Sequence, residues 1–327
     1  MPLRLVAGPQ FLKDEPEPEW IVEPFLVGGS SLMLYGRQGS GKSTIAYQLA
    51  HALATGEPWL NFPVWKAGPT VYLQFDMPRY EWSMLLHRAQ HAFPVGPSMH
   101  FNFRETDNDL GRVDIFTPKH RKELKDALEA IRPHAIIVDT ISEGFTPRQG
   151  QHIDINEEAR EVIRYWHELV PEGVFAFLKH ERKGSAYKSK KDDDGESEDD
   201  IDAFSGPAGW ETKVTTSLRL TNQHGQARLW VQKARLADPG FRTMKMSRDP
   251  HGFFVAPIGH EQMLTTWPRL VPPSDRFIPS SVADVLRDVA MRTGESYETV
   301  KKAHQRAKKE YGKVFVWEQQ LGTSTHA

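Results

Sequence analysis

The chain has 327 residues, a formal net charge of −2, 39% hydrophobic residues and no cysteine. That length accommodates one large α/β domain with small additions, or two modest domains. A balance so close to neutral excludes a coat for nucleic acid that works through bulk basicity. The missing thiols exclude disulfides, thiolate metal sites and cysteine nucleophiles.

Residues 1–23 are rich in proline and acids and read as an irregular extension, with a short strand beginning near "WIVEPFLV". "SLMLYG" reads as a first strand, and residues 43–54 as a helix whose N-terminus faces the loop between them. "GPTVYLQFD" is a second strand closing on Asp76, and residues 80–93 have helical spacing. "MHFNF" and "RVDIF" are short candidate strands, residues 119–131 form a helix, and "PHAIIVDTI" is a buried strand carrying Asp139. "NEEAREVIRYWHELV" is an amphipathic helix, and "GVFAFLKH" a strand ending at His180. This alternation predicts a mostly parallel sheet with helices on both faces, and functional loops beyond the carboxyl ends of the strands.

Residues 182–202 run from basic to acidic, with eight acids between Asp192 and Asp202. So little apolar content predicts a mobile charged loop. "TTSLRLTNQHGQARLWVQKARL" reads as an antiparallel hairpin with its turn at "NQHGQ". The predicted α/β core thus spans residues 24–256. A proline-rich linker follows at 257–280, then a small C-terminal unit at 281–327 with helices near 281–292 and 296–310 and a short strand "KVFVW". That last pattern is compatible with a plain or winged helix-turn-helix. No signal peptide is evident and no run reaches about 18 apolar residues, which predicts a cytoplasmic protein with no membrane association.

The chemistry concentrates in "GRQGSGKST", which fits the phosphate-loop spacing with Gly36, Gly41, Lys42 and Ser43 in its fixed places. Gly36, Arg37, Gln38, Gly39, Ser40, Gly41, Lys42, Ser43 and Thr44 would line the phosphates of ATP with backbone N–H groups. Lys42 would reach the β and γ oxygens, and Ser43 would ligate Mg2+. Asp139, ending an apolar strand, suits the second acidic contribution to the magnesium shell; the alternative is a strand-end carboxylate facing solvent. Asp76 could prepare the attacking water, or simply cap the turn, and Glu81 is a second candidate. His180 could sense phosphate, or be an ordinary strand-end histidine. The 14 histidines do not group at ligand spacing, which argues against a metal cluster. Lys233 and Arg235 are one residue apart and share a side of an extended chain, as two groups aimed at one anion would, or as a solvated edge strand would.

"GGSSLMLYGRQGSGKST", "TVYLQFDMP", "AIIVDTI", "AFLKHERKG" and "DAFSGPAGW", in this order, resemble the RecA/DnaB-type ATPase core, and within it the hexameric plasmid helicases of the AAA-25 group. The resemblance covers about residues 24–238. It implies a RecA-like fold, a water-activating acid at Asp76, a phosphate-responsive group at His180, and Lys233 and Arg235 as fingers reaching a neighbour's γ-phosphate. The family's acid is usually a glutamate, so Asp76 is one methylene short. The resemblance further implies a homo-oligomeric, hexameric ring on single-stranded DNA, with Arg182, Lys183, Lys188, Lys190 and Lys191 along the DNA backbone and replication or recombination proteins as partners. Lys301, Lys302, Arg306, Lys308 and Lys309 would form a second DNA surface, or a solvated helix face. A DNA helicase is the expected function. A non-unwinding recombinase or mediator ATPase, or a nucleotide-switched regulatory or assembly protein with little turnover, are the alternatives.

Overall fold

The computed structural model describes residues 6–14, 19–102, 117–141, 155–181, 208–223, 226–237, 242–256, 281–293 and 295–311. "RVDIF", the charged segment 182–202, the linker and "KVFVW" lie outside the described residues.

A short helix α1 (Gly8–Asp14) precedes a two-stranded hairpin of β1 (Trp20–Val22) and β2 (Leu26–Val27). Then come β3 (Ser31–Gly36), α2 (Lys42–Thr55), β4 (Thr70–Gln74), α3 (Arg79–Ala89) and β5 (Met99–Phe101). α4 (Pro118–Ile131), β6 (Ala135–Asp139), α5 (Ile155–Leu169), β7 (Val174–His180) and α6 (Ala208–Lys213) follow. Four more strands complete the sheet: β8 (Thr216–Gln223), β9 (Gln226–Ala234), β10 (Thr243–Arg248) and β11 (Phe254–Val255). Together nine strands make one sheet in the order β11-β10-β9-β8-β3-β7-β6-β4-β5. β8, β3, β7, β6, β4 and β5 run parallel; β9, β10 and β11 extend the sheet antiparallel beyond β8.

The apolar strand runs follow from burial on both faces. Along β3, Leu32 and Leu34 pack with α2 and α3 into one core, while Met33 and Tyr35 pack into a second core with α4, α5 and α6. The result is a three-layer α/β/α core, as the strand and helix alternation predicts. α2 is buried on nearly all sides because its outer flank is covered as well. Trp59 donates its indole N–H to Ile45 O at 3.2 Å and meets Phe25 edge to face. Gly56, at φ 81°, ends α2 in the left-handed conformation and gives its N–H to Ala52 O.

β4 stops at Gln74, two residues short of the expected Asp76. The Gln74 side chain takes the N–H groups of Asp76 and Met77 at 2.7 and 3.0 Å and folds the chain into a turn. β10 and β11 lie beyond the expected hairpin. At the C-terminal end, α7 (Val282–Thr293) and α8 (Tyr297–Tyr311) pack on one another through residues that include Val285, Val289 and Val300. Ser296 caps α8, accepting the Thr299 N–H at 3.1 Å. Among the described residues no helix is long and apolar enough to cross a membrane.

Candidate functional site

β3 is where the strand order reverses: β4, β6 and β7 lie to one side of it and β8 to the other. A crevice opens beyond the carboxyl ends of strands at such a point. Gly36 ends β3, Asp139 ends β6, His180 ends β7, and Asp76 follows β4, so four distant pieces of sequence converge there.

The loop between β3 and α2 turns tightly. Gly39 and Gly41 hold φ of +77° and +100°, and a Cβ on Gly36 would lie 2.2 Å from Leu220 O of the neighbouring strand. Glycine is demanded at Gly41 by backbone conformation and at Gly36 by lack of space. Ser40 is buried, and its hydroxyl has no hydrogen-bond partner among the described residues. Arg37, Gln38 and Gly39 are exposed, and Ser43 and Thr44 are half-buried in the first turn of α2. Lys42 is buried and curls back to donate to Gly36 O at 3.1 Å and Arg37 O at 3.0 Å. Burial lowers its pKa, opposed by the charges of Asp139, Asp76 and Glu181.

Asp139 is fully buried and is therefore not a solvent-facing carboxylate. Its Oδ2 accepts from the Tyr72 hydroxyl at 2.8 Å and from Gln74 Nε2 at 2.9 Å. Among the described residues Oδ1 makes no hydrogen bond of good geometry, although the Ser43 hydroxyl is near enough to favour the charge of the carboxylate. Burial pushes the Asp139 pKa up, and hydrogen bonding from Ser43, Tyr72 and Gln74 pulls it back. No group of three or more potential metal-ligating side chains occurs among the described residues. Magnesium carried by a nucleotide needs no such group, because phosphate oxygens and water fill most of its octahedron. One hydroxyl and one under-satisfied carboxylate oxygen, Ser43 and Asp139, fit that demand.

Asp76 and His180, 104 residues apart, meet at 3.2 Å between Oδ2 and Nε2. The hydrogen bond to His180 holds the Asp76 carboxyl below the usual carboxylate range; partial burial opposes this, and the charges of His180 and Lys42 add to it. Glu181 follows directly, giving its N–H to Gly36 O at 3.0 Å and pairing with Arg219 at 2.8 Å, which ties the end of β7 to the start of the loop. Glu81 sits exposed on α3, accepting from the Tyr80 hydroxyl, outside this cluster.

Lys233 and Arg235 do lie on one side of the chain. Lys233 Nζ donates to Glu211 O, and Arg235 Nη2 donates to Thr212 O at 2.9 Å, both carbonyls in the last turn of α6. The Arg235 N–H binds Thr215 O, and the Thr215 N–H binds Ser31 O. This places the pair beside the amino end of β3, at the opposite end of the strand from Gly36. Arg182, Lys183, Lys188, Lys190 and Lys191 lie outside the described residues. On α8, Lys302, Arg306 and Lys308 are exposed, and Lys301 faces the Tyr297 ring at 5.8 Å.

Gln74 was not foreseen as a site residue. It is fully buried, and its backbone N–H and carbonyl pair with the Asn102 side chain while its own side chain joins Asp139 to the Asp76 turn. The only sequence signal is a polar residue inside an apolar strand run, next to an acid.

These features are those of a P-loop nucleoside triphosphatase core. A profile described as an AAA domain, AAA-25, matches residues 3–186, more than half of the chain, and the protein belongs to that family of P-loop ATPases. Among solved structures, a KaiC-like protein from Pyrococcus horikoshii is 14% identical over 72% of this chain and 93% of that chain, with a TM-score of 0.46. The flagellar accessory protein FlaH from Methanocaldococcus jannaschii is 12% identical over 71% of this chain and 91% of that chain, with a TM-score of 0.45. No curated protein matches the chain.

Proposed function

We propose that this protein is an ATP-operated switch that binds ATP and magnesium at residues 36–44, turns over slowly, and uses its nucleotide state to govern an assembly or regulatory event. The observation that carries this reading is the 3.2 Å contact between Asp76 and His180, which engages the carboxylate that would prepare water. Lys42 would leave the Gly36 and Arg37 carbonyls for the β and γ oxygens, while the loop N–H groups cradle the phosphates. Ser43 and Asp139 would hold magnesium, whose role is to neutralise charge on the β and γ phosphates. Asp76 would accept the proton of the attacking water as its oxygen bonds to the γ-phosphorus and the β–γ bridging oxygen leaves with ADP. His180 must first exchange Asp76 for a γ-phosphate oxygen, and a carboxylate one methylene short adds to the delay. The test is nucleotide affinity measured beside steady-state turnover. Tight binding with slow hydrolysis supports the switch; rapid hydrolysis of ATP by the isolated chain refutes it.

A RecA-like, hexameric motor on single-stranded DNA is the second reading. It is favoured by the place of Lys233 and Arg235, too far from their own loop to serve it and paired on one side as fingers for a neighbouring subunit would be. In that reading Arg182, Lys183, Lys188, Lys190 and Lys191 follow the DNA backbone. DNA-stimulated turnover, abolished in the double Lys233→Ala and Arg235→Ala variant and non-additive on subunit mixing, would favour the motor over the switch.

A further inference from the structure

The hairpin of β10 and β11 lies far from the phosphate loop in sequence but against it in space. Gly41, the residue before Lys42, has φ +100°; a Cβ built there would lie 2.6 Å from Arg248 Nη2 and 2.6 Å from Phe254 Cζ. An arginine and an aromatic ring from the far side of the sheet therefore pack directly on the loop where α2 begins. We infer that Arg248 is a phosphate-binding residue of the nucleotide site, offering its guanidinium to an α- or β-phosphate oxygen of a nucleoside di- or triphosphate. This rests on the reading of residues 36–44 as an ATP site and adds to it a cation from the same subunit.

Three independent observations support the assignment. The first is mechanical. Gln48, buried on α2, binds the Phe254 backbone in both directions, Nε2 to the carbonyl at 2.8 Å and the N–H to Oε1 at 3.0 Å. Asn61 Nδ2 also donates to Ala256 O at 2.8 Å. β11 is thus latched to the helix that carries the phosphate loop, so Arg248 keeps its place relative to Gly41.

The second is the presentation of the guanidinium. It stacks over the Phe254 ring at 4.2 Å and donates through Nη1 to Gly252 O. With one edge so held, Nη2 is the end that faces Gly41, and a rigid fork of donors suits phosphate better than a flexible ammonium does.

The third is electrostatic. The start of α2 is the positive end of its dipole, and a cation there is unfavourable unless an anion lies between. Arg88 adds a further like charge; partial desolvation and then Arg88 both disfavour the charged form of Arg248, with Asp249 opposing them. Ser40, next to Gly41 in the loop, has a buried hydroxyl with no hydrogen-bond partner among the described residues. An inserted phosphate turns each of these costs into a favourable contact.

The experiment measures binding of ADP and of ATP, with magnesium, to the full chain, to Arg248→Met and to Arg248→Lys, together with the thermal midpoint of each protein free of nucleotide. Methionine retains the apolar cover on Phe254 while removing the charge. Loss of one charge-assisted bond to phosphate predicts affinity for both nucleotides lower by roughly tenfold or more in Arg248→Met. Partial recovery in Arg248→Lys and an unchanged nucleotide-free midpoint complete the expected result. Unchanged affinity in Arg248→Met overturns the inference. So does a loss confined to ATP, or a loss matched by a lower midpoint, which would make Arg248 a brace for the hairpin. If the unsubstituted protein binds neither nucleotide, the ATP site itself is refuted.

Discussion

Replacing Gln74 with methionine tests how the site is held together. Met has nearly the volume of Gln, so the change leaves the packing of β4 intact and removes only polar contacts. Two N–H groups, those of Asp76 and Met77, lose the oxygen they donate to at 2.7 and 3.0 Å, and buried Asp139 loses the Nε2 donor at 2.9 Å. The two amides lie in a partly buried turn and cost about 1 kcal/mol each at the lower end of the range; a hydrogen bond to a charged group is worth about 1.5–3 kcal/mol. The expected destabilisation is therefore about 4 kcal/mol, a large share of a typical folding free energy of about 5–15 kcal/mol. At roughly 2–4 °C per kcal/mol for a chain of this size, the thermal midpoint should fall by about 10 °C. Urea unfolding should show a lower midpoint with an unchanged slope. Turnover should fall as well, since the turn that positions Asp76 loses its brace. A change under about 1 kcal/mol, with turnover intact, would refute Gln74 as the link between the two acids.

Asp139→Asn removes a buried charge while retaining an acceptor for Tyr72 and Gln74. Because burial raises the Asp139 pKa, the native protein gains stability when this group is protonated and loses it as pH rises through the folded-state pKa. The nucleotide-free variant should lack that loss and melt higher at neutral pH, while magnesium-dependent ATP binding weakens; a lower neutral-pH midpoint would contradict the reasoning. Asp76 has the opposite sign: its lowered pKa gives a contribution present above the unfolded value and lost as pH falls through the folded one. NMR titration should find its carboxyl ionising below the usual carboxylate range, and His180→Ala should move it upward; no movement would deny the pair its importance. Gly36→Ala places a Cβ 2.2 Å from Leu220 O, a backbone atom that cannot step aside without parting β3 from β8. Overpacking of that kind costs roughly 1–3 kcal/mol, to be read from denaturant unfolding, and a neutral effect would show the strands to be more pliant than their register implies.

The sequence by itself determined the local chemistry and the layered class of the fold. Continuous apolar runs closing on Gly36, Asp139 and His180 are what parallel strands buried on both faces require, and the loop spacing from Gly36 to Ser43 admits few uses other than phosphate. Contacts between distant segments were decided by tertiary structure alone, because no periodicity encodes which strand ends become neighbours. His180 and Asp76 meet only because β6 is the single strand between β7 and β4. Gln74 looks like any residue of its strand until burial forces each of its polar atoms to find a partner. Arg248 reaches Gly41 only because the antiparallel extension ends in a hairpin whose Phe254 is gripped by Gln48, 206 positions away in the chain. Lys233 and Arg235 show the converse. Both side chains reach carbonyls of α6 from the end of β9, yet only the register of β9 on β8 reveals that they stand at the far end of β3 from Gly36.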